Sequence, residues 1–186
     1  MVSLLSLAIP IVLSAVIVFA ASSIVHMVLT YHRSDYGRLP KEEDVQEMLR
    51  RLNVAPGDYA IPCAGSPAAM KEPAFVEKMN KGPLVMMSVV PGGPSTMGKS
   101  LVQWFFFGVI VSVFAAYIAT RTLSSGADYR AVFRLVSTVA FMGYALALPL
   151  QSIWFMRKWS TTLKSMADGL LYGLLTGGTF GWLWPR

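Results

Sequence analysis

Several residues in this chain have types and spacings that could do chemistry. Gly93, Gly98, Lys99 and Ser100 spell G-x-x-x-x-G-K-S. That pattern cradles phosphates when it joins a buried strand to a helix N-terminus. His26 and His32 bracket the end of the first apolar block, with Ser22 four residues before His26 on the same helical face. A histidine within a membrane span can ligate haem, or the magnesium of a chlorin pigment. Asp168 falls inside the last apolar block, four residues after Lys164. An acid at membrane depth is a candidate functional group, although an i, i+4 pair with the lysine is the simpler expectation. Gln151 and Tyr144 add a thin polar lining to the third block.

Each candidate must fit the element that carries it. The run after the phosphate pattern, LVQWFFFGVIVSVFAAYIAT, is apolar all round and belongs in lipid. The segment before it is too short for a parallel α/β sheet, and no acid at the end of a second strand is available for magnesium. Residues 93–100 therefore read as an interfacial turn with Lys99 as a snorkelling charge, and no nucleotide is expected. A two-histidine haem would need a second histidine on another span, and the sequence has none. His26 reads chiefly as a hydrogen-bonded interfacial residue, with a chlorin or haem on it as the minor reading. No Ser-His-Asp, Cys-His or paired-carboxylate arrangement suggests an enzyme. Cys63 is the one cysteine, which excludes an intrachain disulfide framework.

The elements behind these residues follow from composition. Of 186 residues, 54% are hydrophobic and only 14% charged, against about 25% charged in soluble domains. The apolar blocks predict four transmembrane helices at 3–29, 100–122, 131–156 and 163–184, each near the roughly 20 residues that cross a bilayer core. The fold class expected is an all-α membrane protein, with a small α+β extramembrane cap at 31–99 inserted between helices 1 and 2. The first block lacks a basic leader and reads as an uncleaved anchor rather than a signal peptide. Within the cap, PKEEDVQEMLRRL (40–52) predicts a helix with Pro40 at its first position, and 72–82 a second. DYAIPC (58–63) and LVMMSVV (84–90) predict short strands. Pro10 and Pro149 should bend the spans that hold them.

Residues 31–99 hold nine Lys/Arg against eight Asp/Glu, so the net charge of +6 lies mostly beside the spans. That is anchoring charge, and nucleic acid is not an expected partner. Trp104 and Trp154 fall at one expected interface and Trp182 at the other, as an aromatic belt. The basic residues near span ends favour a cytoplasmic cap with both termini outside. Gly169, Gly173, Gly177 and Gly181 repeat G-x-x-x-G along the fourth block. Such a stripe lets another helix approach closely, either within the bundle or in a second copy.

The stretches VHMVLTYHRSDY, GPSTMGKSLVQWF and DGLLYGLLTGGTFGWLWP resemble a group of small bacterial integral membrane proteins with no assigned activity. The resemblance runs along most of the chain. It implies a bacterial inner membrane and four spans, and it transfers no site residues. The function expected is a non-catalytic accessory or scaffold subunit contacting lipid and other membrane subunits within a larger membrane complex, with a photosynthetic or respiratory assembly as one candidate host. The rival is a small transporter or ligand-binding protein using His26, Asp168 and Gln151.

Overall fold

The computed structural model describes residues 2–93 and 97–186. In chain order the helices are α1 (Ala8–Ser23), α2 (Glu42–Arg51), α3 (Pro73–Lys81), α4 (Met97–Thr122), α5 (Tyr129–Phe141), α6 (Pro149–Trp154) and α7 (Trp159–Trp182). The strands are β1 (Gly57–Ile61) and β2 (Val85–Val89). Two compact units result: Met1–Tyr36 with Thr96–Arg186, and Gly37–Ser95.

The larger unit is a helical bundle. Among the described residues, three of its helical stretches are long and apolar enough to cross a membrane: Leu5–Val28, Met97–Thr122 and Tyr129–Trp154. The first extends α1 through a π-helical turn at Ile24–Val28. The third joins α5 to α6 through a second π turn at Met142–Leu146, next to Pro149, which has no N–H to continue the ladder. Packed against these lies α7, 24 residues long and less apolar, since it carries Thr161, Thr162, Lys164, Ser165 and Asp168 as well as its glycines.

Small side chains bring the helices together. Ala115, Ala116 and Ala119 of α4 enclose Val132 and Val136 of α5 and Phe180 of α7. Hydroxyl pairs add polar links, Ser14 to Ser112 at 2.9 Å and Ser152 to Thr162 at 2.7 Å. Lipid is as apolar as leucine, so close packing and such bonds hold membrane helices together where hydrophobic burial cannot. The α7 glycines face α5 and its π turn. A Cβ added at Gly177 would lie 2.0 Å from Ser137 Oγ, and one at Gly181 would lie 2.7 Å from the Tyr129 ring. One at Gly173 would lie 3.0 Å from the Ser137 carbonyl oxygen, and one at Gly169 2.6 Å from Ala145 Cβ. This stripe is filled from within the chain and is not free for a second copy. Large apolar residues such as Leu5, Ile9, Phe106, Phe114 and Leu163 point outward, a surface compatible with a hydrocarbon surrounding.

The smaller unit pairs β1 with β2 antiparallel, from Gly57 opposite Val89 to Ile61 opposite Val85. Glu42, Glu43 and Asp44 open α2 and Arg50 and Arg51 close it, each sign complementing the helix dipole. The helix begins at Glu42 rather than at Pro40, because Lys41 takes a left-handed conformation (φ 54°) at its N-cap. Among the described residues of this unit, not one is buried.

A histidine–carboxylate cluster as candidate functional site

The site is built where the first membrane-crossing helix ends. The π turn at Ile24–Val28 carries His26. Leu29 then turns extended and a 3-10 turn at Tyr31–Ser34 follows, setting His32 and Asp35 one turn apart. Asp168 and Lys164 reach the same place from one face of α7, and the chain that folds first into α1 meets its last helix there.

His32 lies between two carboxylates. Its Nδ1 is 2.6 Å from Asp35 Oδ2 and its Nε2 is 2.8 Å from Asp168 Oδ2. The Tyr31 hydroxyl donates to the other Asp168 oxygen. Lys164 Nζ donates to the Tyr31 carbonyl at 2.6 Å, to Ser34 Oγ at 2.8 Å and to Asp35 Oδ1 at 3.0 Å. The two carboxylates are enclosed, with side-chain exposures of 8% for Asp35 and 7% for Asp168. Buried charges persist only when paired and hydrogen-bonded, and here every carboxylate oxygen has a partner. The His26 ring packs against His32 with centroids 4.5 Å apart and planes tilted by 36°.

Electrostatics follow from this geometry. Burial works to raise the Asp35 carboxyl, but the hydrogen bonds and positive charge from His32 and Lys164 outweigh it and hold it below the usual carboxylate value. Loss of solvent around the Tyr31 hydroxyl, together with the Asp168 carboxylate it donates to, pushes that phenol up to about 12.

Two expectations change here. Lys164 and Asp168 do not pair with each other along α7: the lysine goes to Asp35 and the acid to His32. Tertiary partners offer better geometry and less water than the exposed i, i+4 contact. His26 is exposed and makes no hydrogen bond among the described residues, and its ring packs at a tilt against that of His32. One ligand atom each from His26, His32 and Asp168 lies within 4.8 Å of the others.

The remaining candidates lie elsewhere. Trp104 turns inward, packing on Phe107, Tyr144 and Tyr172 and donating Nε1–H to Ser22 Oγ at 2.8 Å. Trp154 and Trp182 point outward, and so does Gln151, which lines no interior. Lys99 is exposed in the first turn of α4. Part of the phosphate pattern, residues 94–96, lies outside the described residues. Its flanks are a two-stranded antiparallel sheet and a helix apolar enough for lipid, not the parallel strand–loop–helix that phosphate binding uses.

Reading single residues missed Asp35, Tyr31 and Ser34. The available signal was His32-Arg33-Ser34-Asp35, whose i, i+3 spacing puts an acid beside the imidazole on any helical turn. Fold and site together define a helical chain, with three stretches able to cross a membrane, that carries a histidine–carboxylate cluster at the end of the first. Comparison with protein-family models, curated proteins and solved structures finds no match.

Proposed function

We propose that the protein is a four-span integral membrane subunit without catalytic activity, whose Gly37–Ser95 unit is completed by another membrane-complex subunit. The observation that carries this reading is that no described residue of that unit is buried. It nonetheless displays Leu39, Met48, Leu52, Met70, Leu84 and Val90 at 45–74% exposure. A unit this small has little core to begin with, and large exposed apolar areas mark interaction surfaces. Its charges are balanced, seven Lys/Arg against seven Asp/Glu over 37–95, which favours a protein contact over attraction to anionic lipid. The fourth span is α7: its bundle position and 24-residue length support it, as does the fact that roughly 20 residues suffice to cross a bilayer. A bacterial inner membrane with this unit cytoplasmic agrees with the basic residues near the span ends.

The test compares amide hydrogen exchange of the purified chain with that of the complex extracted from its native membrane in mild detergent. Residues 42–51 and 73–81 should exchange fast in the isolated chain and become strongly protected in the complex. A lone monomer in gentle extracts, with these helices already protected, would overturn the reading.

A further inference from the structure

We propose that His26, His32 and Asp168 form a binding site for a divalent first-row metal ion such as Zn²⁺, with Asp35 and Lys164 as its supporting shell. Two imidazoles and one carboxylate are a donor set that suits zinc and its neighbours and leaves a coordination position open.

The arrangement around His32 is what sets this cluster apart from an ordinary ion pair. Asp35 accepts from Nδ1 at 2.6 Å, and Lys164 in turn fixes Asp35 at 3.0 Å. A carboxylate on the far ring nitrogen is the usual companion of a metal-bound histidine, because it sets the tautomer and raises ligand basicity. With Nδ1–H committed to Asp35, the Nε2 lone pair faces an Asp168 oxygen at 2.8 Å. Two facing lone pairs require a cation between them, either a proton or a metal. A metal at ordinary bond lengths would hold these two atoms roughly 3.3 Å apart, an opening of about half an ångström. Tyr31 anchors the second Asp168 oxygen, so the carboxylate presents one atom to the ion.

The third ligand, His26, lies outside the hydrogen-bond network. His26 is exposed and makes no hydrogen bond among the described residues. It also sits in a π-helical turn, an insertion that recurs at functional sites. Its ring packs against His32 with centroids 4.5 Å apart and planes tilted by 36°, which leaves no room for a porphyrin or chlorin between the two. A bare ion is the ligand that fits.

The test uses the full chain in detergent, stripped with a chelator and titrated with Co²⁺ as a spectroscopic stand-in for Zn²⁺, followed by competition with Zn²⁺. One Co²⁺ per chain is expected, with ligand-field absorption of a four- or five-coordinate ion that Zn²⁺ abolishes. His26→Gln removes an exposed ligand that holds none of the network's hydrogen bonds, so it should fold as the parent and lose at least tenfold in affinity. Asp168→Asn should abolish binding. Asp35→Asn should weaken binding by about 10- to 100-fold without changing the stoichiometry, as loss of a supporting carboxylate does elsewhere. If the parent takes up no Co²⁺, or His26→Gln binds it as tightly as the parent, the proposal fails.

Discussion

Single residues in this chain draw their properties from groups far away in sequence. Asp35 stays ionised in an enclosed place because His32 and Lys164 both donate to it. Replacing Lys164 with Met should therefore strand the carboxylate and lower stability by about 2 kcal/mol, the scale of a lost charge-assisted bond, read as a fall in melting temperature in detergent. The pH dependence has a definite sign. The folded value of Asp35 lies below its ordinary 3.8, so its contribution is complete above that value and is lost as pH falls through the lower one. The melting temperature of the parent should decline steeply below about pH 4. In Asp35→Asn that part of the decline should vanish, and an unchanged acid profile would contradict the role given to this carboxylate. Gly177 is a residue of another kind, defined by what is missing. A methyl there meets Ser137 Oγ at 2.0 Å and the Phe133 carbonyl at 2.8 Å. Gly177→Ala should cost roughly 1–3 kcal/mol as α7 is pushed from α5. Gly178→Ala, whose nearest neighbour is the Tyr129 hydroxyl at 3.8 Å, should be nearly silent, and equal melting temperatures for the two would refute this packing.

At the scale of elements, the sequence was most legible where one physical rule acted alone. Apolar runs long enough for a bilayer read directly, and the stretches at Leu5–Val28, Met97–Thr122 and Tyr129–Trp154 lie within a few residues of their predicted ranges. The short elements of the smaller unit were readable from helical charge placement and from Gly/Pro punctuation: α3 runs Pro73–Lys81 and β2 Val85–Val89. Legibility failed where a residue had two possible partners. The i, i+4 rule favoured Lys164 with Asp168, yet the 3-10 turn at Tyr31–Ser34 supplies each with a closer, drier partner. No local pattern announces that a connector will fold against a helix some 130 residues later. Trp104 failed for a similar reason, because an interfacial position and an inward rotamer are both open to a tryptophan near a helix start. Its bond to Ser22 and its contacts with Tyr144 and Tyr172 depend on how three helices are turned. The π turns were illegible as well, since they arise from strain and packing rather than from composition.

For the molecule as a whole, the number of crossings decides which groups share a compartment. With four spans, Cys63 and Arg186 lie on opposite sides of the membrane; if α7 does not cross, they lie on the same side. The chain is suited to this measurement because Cys63 is its one cysteine and is exposed. On the proposed inner-membrane topology, a membrane-impermeant thiol reagent should label Cys63 in inverted inner-membrane vesicles and leave it unmodified in intact spheroplasts. In a Cys63→Ser background, Arg186→Cys should show the reverse. The physical basis is the cost of leaving α7 at the surface: its outward Leu163, Leu170, Leu171 and Leu174 are 39–57% exposed, and moving the exposed half of each from water into hydrocarbon gains about 1 kcal/mol. Against this stand Lys164 and Asp168, whose charges are already bound to Asp35 and His32 at the end of the first span and so need not enter the membrane unpaired. This balance is the ground on which a fourth span is proposed. Labelling of both cysteines from one side would reduce the count to three, and labelling of Cys63 only from outside would invert the orientation while leaving the count intact.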